Sequence, residues 1–222
     1  MKIITVEHLI EYDLGGVGQI QVNEKAGVTF PSALRSILRQ DPDIIMIGEM
    51  RDYETAHIGV QASLTGHLVL STLHTNDSIS AVVRLIDMGV EPYLAAGSLL
   101  GAVAQRLVRT VCPSCRTERE APPLFRKEGL SSVTVGKGCD ACMGTGFLGR
   151  VGLYEQFVLD DGLREAVSAG LPQSRIRAEA RSRGFRTLWE LGIDALREGK
   201  TSPEELLRVV SPEEFQAGGT EE

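Results

Sequence analysis

Residues 41–52 read DPDIIMIGEMRD, and this stretch decides the fold class. Pro42 pushes the residue before it out of the helical region, so Asp41 closes any helix that precedes it. Ile44, Ile45, Met46 and Ile47 then form a continuous apolar run. It is too short for a buried helix and typical of a strand covered on both faces of a parallel sheet. The run ends in Gly48 and a carboxylate, Glu49. That carboxylate falls at the carboxyl end of the sheet, where α/β folds bind their ligands.

Outward from this strand the pattern alternates. PSALRSILRQ (31–40) spaces Ala33, Leu34, Ile37 and Leu38 as a helix, with Pro31 suited to its first turn. ETAHIGVQASLTG (54–66) reads as a helix closed by Gly66, and LVLSTL (68–73) as a second buried strand. ISAVVRLIDMGV (79–90) is an amphipathic helix closed by Gly89, and 93–111 reads as a longer helix. Strand and helix alternating with short connections predict an α/β domain with a mainly parallel sheet.

Upstream, IITV (3–6) is a β-branched strand that starts almost at residue 1, which predicts a chain cut from a longer one. Residues 12–29, with Ile20 and Val22 between glycines, predict a hairpin or an irregular excursion. Downstream, 112–150 is a glycine- and cysteine-rich insert with little periodicity, and from about residue 160 the pattern is helical. Ser202, Pro203, Glu204 and Glu205 read as a capping box with proline at the first helical position. The expected partition is a core at 1–111, an insert at 112–150, a small helical domain at 151–211 and a disordered acidic tail at 212–222.

Composition excludes several classes. A chain of 222 residues accommodates one full domain and a smaller companion. A net charge of −7 argues against nucleic acid as a partner, because phosphate binding needs a basic surface. There is no apolar run of roughly 18 residues to span a membrane. MKIITVEHLIEY lacks the pattern of a signal peptide, so a cytoplasmic location is expected.

All four cysteines fall in two close pairs, Cys112-Pro-Ser-Cys115 and Cys139-Asp-Ala-Cys142, with 23 residues between the pairs. Four thiolates from two tight turns fill every position of a tetrahedral Zn²⁺ ion, which makes the expected site structural, with no position open to substrate. Free or disulfide-bonded cysteines are the alternative, disfavoured in the absence of a secretion signal.

Three further segments carry candidate chemistry. Glu49 is placed to hold Mg²⁺ directly or through water, as carboxylates do in phosphate-transfer ATPases; a solvated Glu49 paired with Arg51 is the plainer reading. In TGHLVLSTLHTND (65–77), His67 and His74 stand at the two ends of a strand. His74, Thr75, Asn76 and Asp77 precede a helix, beside free backbone N–H groups that suit a phosphate; they also suit plain helix capping. Glu7 and Glu11, just after the first strand, are placed to orient an attacking water. His8 and His57 read as surface histidines.

In order along the chain, ITVEHLIEY, LRSILRQDPDIIMIGEMRD, ASLTGHLVLSTLHTND, AVAQRLVR and CPSC…CDACMGTGFLGRVGLYE resemble the traffic ATPases of type II secretion and type IV pilus assembly. The resemblance implies a RecA-like P-loop NTPase core, partial here, with a tetracysteine zinc-binding insert and a small C-terminal helical domain. It implies ATP and Mg²⁺ as cofactors beside Zn²⁺, and a hexamer that couples ATP hydrolysis to pseudopilin or pilin assembly and protein export. The implied partner is an inner-membrane platform protein, which holds the ATPase at the cytoplasmic side of that membrane.

Carried over by position, Glu11 becomes the catalytic base with Glu7 beside it, and Glu49 the Mg²⁺ or water carboxylate with Arg51 next to it. His67 and His74 become the family's paired histidines, His74 nearer the γ-phosphate.

Two departures accompany the resemblance. The family's first segment reads Glu-Asp-Pro-x-Glu, whereas His8 and Leu9 stand here in place of Asp and Pro. These 222 residues also contain no G-x-x-x-x-G-K-[ST]; Gly15-Gly16-Val17-Gly18 carries neither the lysine nor the hydroxyl. The expectation is therefore the C-terminal portion of an ATPase that needs a complementing N-terminal segment. The alternatives are a non-hydrolytic zinc-containing interaction subunit or a truncated gene remnant.

Overall fold

The parallel sheet of the first unit follows from the apolar runs that precede Gly48 and surround it in space. The computed structural model describes residues 1–212; beyond Pro212 the expected acidic tail lies outside the described residues. The chain forms two compact units, Met1–Ala102 with Phe157–Arg183, and Val103–Gln156 with the chain from Gly184 on.

The first unit holds four strands in the order β2 (Gly18–Gln21), β1 (Ile3–Glu7), β3 (Ile44–Ile47), β4 (Leu68–Ser71), all parallel. Val6 pairs with Ile47 and Ile47 with Ser71, so the carboxyl ends of β1, β3 and β4 lie level. Ile4, Val6, Ile45 and Ile47 are buried, each such side chain contributing about 1.5–3 kcal/mol of transfer free energy.

Helices α1 (Phe30–Ile37) and α2 (Tyr53–Leu64) supply Leu34, Ile37, Ala56 and Val60 to the same core. α1 starts where Thr29 and Ser32 cap each other reciprocally, and the chain leaves it through Asp41 at φ +50°, directly before Pro42. α2 starts on Asp52, whose carboxylate accepts from the Thr55 amide at 2.8 Å. A Cβ on Gly59 of α2 would stand 2.6 Å from the Met50 methyl and 3.1 Å from Ile47, so glycine is what lets this helix lie close on β3. Helices α3 (Ser80–Asp87) and α4 (Pro92–Ser98) belong to this unit, as do α6 (Asp161–Ser168) and α7 (Gln173–Ser182).

In the second unit the long strands β5 (Gly101–Val111) and β8 (Phe147–Val158) pair, and the boundary between the units falls inside both. An antiparallel hairpin of β6 (Arg116–Glu120) and β7 (Ser132–Gly136) flanks the short helix α5 (Pro123–Lys127). With α8 (Leu188–Arg197) and α9 (Pro203–Val209) they enclose a core of Val108, Phe125, Val133, Trp189, Leu196 and Leu206. Phe125 and Trp189 stack at 5.8 Å, and Trp189 Nε1 donates to Glu128 at 2.9 Å. Among the described residues no helix is long and apolar enough to cross a membrane.

Several expectations need correction. Residues 93–111 are not one helix. Only Pro92–Ser98 is helical, and Gly101 opens a strand in which Ala104 and Val108 face inward while Val103 and Leu107 face out. Alternation and β-branched residues prevail over the helical spacing there.

LVLSTL is extended only at 68–71, and one face of it is exposed rather than buried: Leu68 and Leu70 are 42% and 50% accessible, while Val69 on the opposite face packs against the core. Of the two readings of residues 12–29, the hairpin with β1 fails, since β2 runs parallel to it; the segment turns at Leu14–Val17 and again across the Asn23–Val28 bridge. The insert is more regular than its composition suggests, since the charged RTERE of β6 is a strand.

At α9, Ser202 accepts from the Glu205 amide at 3.3 Å, but the Glu205 carboxylate turns away from the reciprocal bond to meet Arg109 and Arg208. The compact units are also discontinuous, unlike the contiguous blocks expected. α6 and α7 join the first unit, α8 and α9 the second.

Candidate functional site

At the carboxyl ends of β1, β3 and β4 the backbone is laced together. The Gly48 amide donates to Val6 O at 2.8 Å, Thr72 Oγ1 donates to Gly48 O at 2.6 Å, and the Met50 amide donates to Thr72 O at 3.1 Å. A Cβ on Gly48 would stand 3.2 Å from Val6 O and 3.3 Å from Glu7 Cα, so glycine keeps the ends of β1 and β3 close.

Glu49 emerges from this lacing with a side chain 12% exposed. Its Oε2 accepts from His74 Nε2 at 3.1 Å, in the tautomer that carries the proton there, and from Arg51 Nε. Its Oε1 accepts no hydrogen bond among the described residues. Burial raises the Glu49 carboxyl pKa, but the His74 and Arg51 donors outweigh it and hold the group below the usual carboxylate range. Glu49 is therefore an anion with one oxygen held and one available. The plainer sequence reading, Glu49 paired with Arg51, describes part of the same arrangement.

Glu7 ends β1 next to Gly48, and its Oε1 accepts from Thr5 Oγ1 at 2.5 Å and Gln19 Nε2 at 3.0 Å. Glu11 is exposed on the loop that leaves this same sheet end, together with His8 and Leu9. Gln21 and Gln19 of β2 tie that loop down by accepting from the Ile10 amide at 3.2 Å and the Leu14 amide at 2.7 Å.

His67 lies elsewhere. Its Nδ1 is 2.9 Å from Ala62 O, at the amino end of β4, whereas His74 follows the carboxyl end. The structure thus gathers Glu7, Glu49, Arg51 and His74 at one sheet end and places His67 at the other.

The loop after His74 is capped as its composition suggests. The Ser80 amide donates to Asp77 Oδ1 at 2.7 Å, and Thr75 Oγ1 donates to Asp77 O at 3.0 Å. A cleft of about 230 Å³ beside it is lined by His74, Thr75, Asn76, Ser80 and Arg84 among others. Sequence reasoning missed the residues that hold this loop from behind, Arg177 and Gln173 of α7. They lie about a hundred positions on, and no local pattern marks them.

The cysteines form the second candidate site. Cys112 follows β5, Cys115 precedes β6, and Cys139 and Cys142 bracket one turn of 3₁₀ helix. All four sulfurs lie within 4.8 Å of one another. The pairs Cys112–Cys139 and Cys115–Cys142 are 3.9 Å apart and Cys139–Cys142 3.8 Å. A disulfide would require about 2.05 Å. A tetrahedron with metal–sulfur bonds of about 2.3 Å has edges of about 3.8 Å. Three sulfur pairs have this edge length and all four sulfurs lie within 4.8 Å, an arrangement compatible with such a tetrahedron and not with a disulfide.

Amides of Cys139 and Gly146 both donate to Cys142 Sγ at 3.2 Å. Burial raises the Cys142 pKa, yet these donors bring it to about 6, while burial and the neighbouring thiols push Cys115 up to about 11. A dication at the centre would favour the thiolate form of all four. The geometry needs glycine where two segments cross. A Cβ on Gly136 would overlap the Gly146 backbone, 2.6 Å from its Cα and 2.7 Å from its carbonyl carbon.

A family model described as type II/IV secretion system protein matches residues 1–208. The chain is 55% identical over 208 residues to the type II secretion system protein HxcR of Pseudomonas aeruginosa, covering 94% of this chain and 42% of that protein. It is 47% identical to the type II secretion system ATPase E of Vibrio cholerae, with 94% and 42% covered. It is also 47% identical to the type IV pilus assembly ATPase PilB of Thermus thermophilus, with 91% and 24% covered. The chain therefore spans less than half the length of these curated relatives.

Among solved structures, the pilus retraction motor PilT with bound ADP superposes with a TM-score of 0.71 at 26% identity, over 97% of this chain and 55% of that one. The ATPase DotB of Legionella pneumophila shares the fold, with a TM-score of 0.64 at 21% identity over 98% and 52%. The match of one family model to nearly every described residue, on a parallel sheet shared with PilT, shows that the chain belongs to the type II/IV secretion system protein family.

Proposed function

We propose that this chain is the C-terminal portion of a secretion or pilus-assembly ATPase and that Glu49 is the central carboxylate of its hydrolytic site. One observation carries the reading: Glu49 is an anion at the level ends of three parallel strands, held through Oε2 by His74 and Arg51 while Oε1 stands available. Such an oxygen suits Mg²⁺, taken directly or through water, beside the phosphates of ATP. His74, 75% exposed and held to Glu49 by one contact, is free to turn toward a terminal phosphate. Glu7 and Glu11, at the same sheet end, take the role of orienting the attacking water. Arg51 balances charge, and His67 is assigned no part in the chemistry.

The phosphate cradle comes, in this proposal, from a segment outside these 222 residues. The open edge of β4, with Leu68 and Leu70 exposed, supports a further strand there. The four cysteines hold a structural Zn²⁺, whose chemistry is to lock two turns together. The names of the relatives, a type II secretion system ATPase and a type IV pilus assembly ATPase, support a motor of such a machine; a hexamer at the cytoplasmic face of the inner membrane, acting on pseudopilin or pilin assembly through a platform protein, is part of the same proposal.

The test joins this chain to the P-loop-bearing segment of a relative and measures ATP turnover with and without Glu49→Gln. Turnover that depends on both parts and is lost in Glu49→Gln supports the reading. Undiminished turnover in Glu49→Gln overturns it, and no turnover from any combination favours a non-hydrolytic subunit.

A further inference from the structure

His74 leaves β4 on a loop that runs into α3, and α7 holds this loop from behind. Arg177 Nη2 donates to Asp77 Oδ2 at 2.7 Å, and Gln173 Nε2 donates to Ser80 Oγ at 2.9 Å. The ion pair is largely shielded, with Arg177 24% and Asp77 14% exposed. Burial raises the Asp77 carboxyl pKa, but the Ser80 donors and Arg177 hold it below the usual range, so the pair is charged at neutral pH. The other Asp77 oxygen caps the Ser80 amide, Thr75 Oγ1 is bound to the Asp77 carbonyl, and Ser78 and Ile79 are buried. Three residues upstream of Asp77 and six upstream of Ser80 stands the loop's only ring, His74, itself exposed and touching Glu49 by a single hydrogen bond. One contact from an exposed side chain does not fix a loop, so His74 depends on the anchors that flank it, Thr72 laced to Gly48 and Met50 on one side and Asp77 with Ser80 on the other.

We propose that Arg177 is a positioning residue for His74. Through Asp77 it fixes the loop that presents the imidazole to Glu49, so α7 sets the geometry of the carboxylate site. The functional importance of this arrangement rests on the reading of Glu49 and His74 as hydrolytic groups, but the positioning itself does not.

The test follows the His74 imidazole by NMR in the nucleotide-free chain, with Glu49→Ala marking the resonance position of a broken contact and His67 as the internal control. Asp77→Asn keeps an oxygen to cap Ser80 and removes only the charge facing Arg177. Both Asp77→Asn and Arg177→Ala are expected to move the His74 resonance toward the Glu49→Ala position, leaving His67 unmoved, while Arg177→Lys moves it less than half as far. Amide exchange at Ser78–Ser80 should rise about tenfold in the first two variants.

A His74 resonance that stays at its wild-type position in Asp77→Asn and Arg177→Ala overturns the proposal. So does a shift of equal size at His67, which would report general loosening. Should Arg177→Ala fail to fold, Asp77→Asn decides alone. In the complemented ATPase, a moved resonance with unchanged turnover would overturn the hydrolytic reading of the pair and leave the positioning role intact.

Discussion

His74 Nε2 lies 3.1 Å from Glu49 Oε2, a bond between the ends of two adjacent parallel strands from residues 25 positions apart. Arg51 meets the same oxygen, so the two donors converge on one side of the carboxylate and leave the other side to a ligand. Glu49 is the recessed partner at 12% exposure and His74 the exposed one at 75%. On the proposed reading of this site, the imidazole is the group that would move toward a phosphate and the carboxylate the group that stays.

Glu49→Gln separates charge from shape. The amide still accepts from His74 and Arg51, and the side chain is not in the core, so stability should change by less than about 1 kcal/mol. Turnover of the complemented ATPase should fall by about 10²–10⁴, the range expected when a positioned acid–base or ion-binding carboxylate is lost. Thermal melts and steady-state turnover on the same preparation check both halves of this expectation.

Glu205 gives the second unit an acid limit. Its carboxylate is wholly buried and accepts from the Arg109 amide at 2.9 Å, from Arg109 Nη2 at 2.7 Å and from Arg208 Nη2 at 2.7 Å. Burial alone would raise its pKa, but the two guanidinium groups bring it from 4.5 to about 2. Because the folded value lies below the unfolded one, this stabilisation is complete above pH 4.5 and is lost as pH falls toward about 2. Glu205→Gln should cost about 3 kcal/mol at neutral pH and flatten the pH dependence across that window. Denaturant titrations followed by Trp189, the one tryptophan and a core residue of this unit, measure both effects.

What the sequence reveals and hides follows from how local each determinant is. β3 and the position of Glu49 are readable because an apolar run, a glycine and a carboxylate are consecutive. α1 and α2 are readable because the spacing of Ala33, Leu34, Ile37 and Leu38, Pro31 in a first turn and Gly66 at a helix end are all local signals, whereas their caps, Thr29 and Asp52, emerge only in the structure. The cysteines are readable because few side chains other than thiols suit such a site.

β5 is not readable, since AVAQRLVRTV satisfies helical and strand patterns alike, and its partner β8 decides from a distant part of the chain. The exposure of Leu68 and Leu70 is hidden for a related reason: hydrophobicity marks a strand as apolar but does not say which of its faces is covered. The Arg177–Asp77 pair is one of many possible opposite-charge pairs, and only the packing of α7 selects it.

The metal centre makes a separate prediction. Protein purified without chelator should contain about one zinc per chain, read by elemental analysis. Cys139→Ser removes one ligand and with it the 3.8 Å contact to Cys142 and the 3.9 Å contact to Cys112, and should lower both zinc content and the melting temperature. Full occupancy and an unchanged melt in Cys139→Ser would contradict a closed four-thiolate site.

Gly136→Ala tests the crossing that shapes this centre without touching a sulfur. The new methyl would overlap the Gly146 backbone, whose amide donates to Cys142 Sγ at 3.2 Å and whose carbonyl accepts from the Cys112 amide at 2.9 Å. Displacing Gly146 therefore disturbs two of the four ligands at once. The expected loss is about 2–3 kcal/mol or more, as for other overpacked sites, together with faster zinc release to a competing chelator. Gly129→Ala is the control. Gly129 has φ +80° but open space around its Cβ position, so it should cost only about 1 kcal/mol of backbone strain and leave zinc release unchanged. Equal zinc release from the two alanine variants would show that the close approach of Gly136 and Gly146 does not shape the metal site.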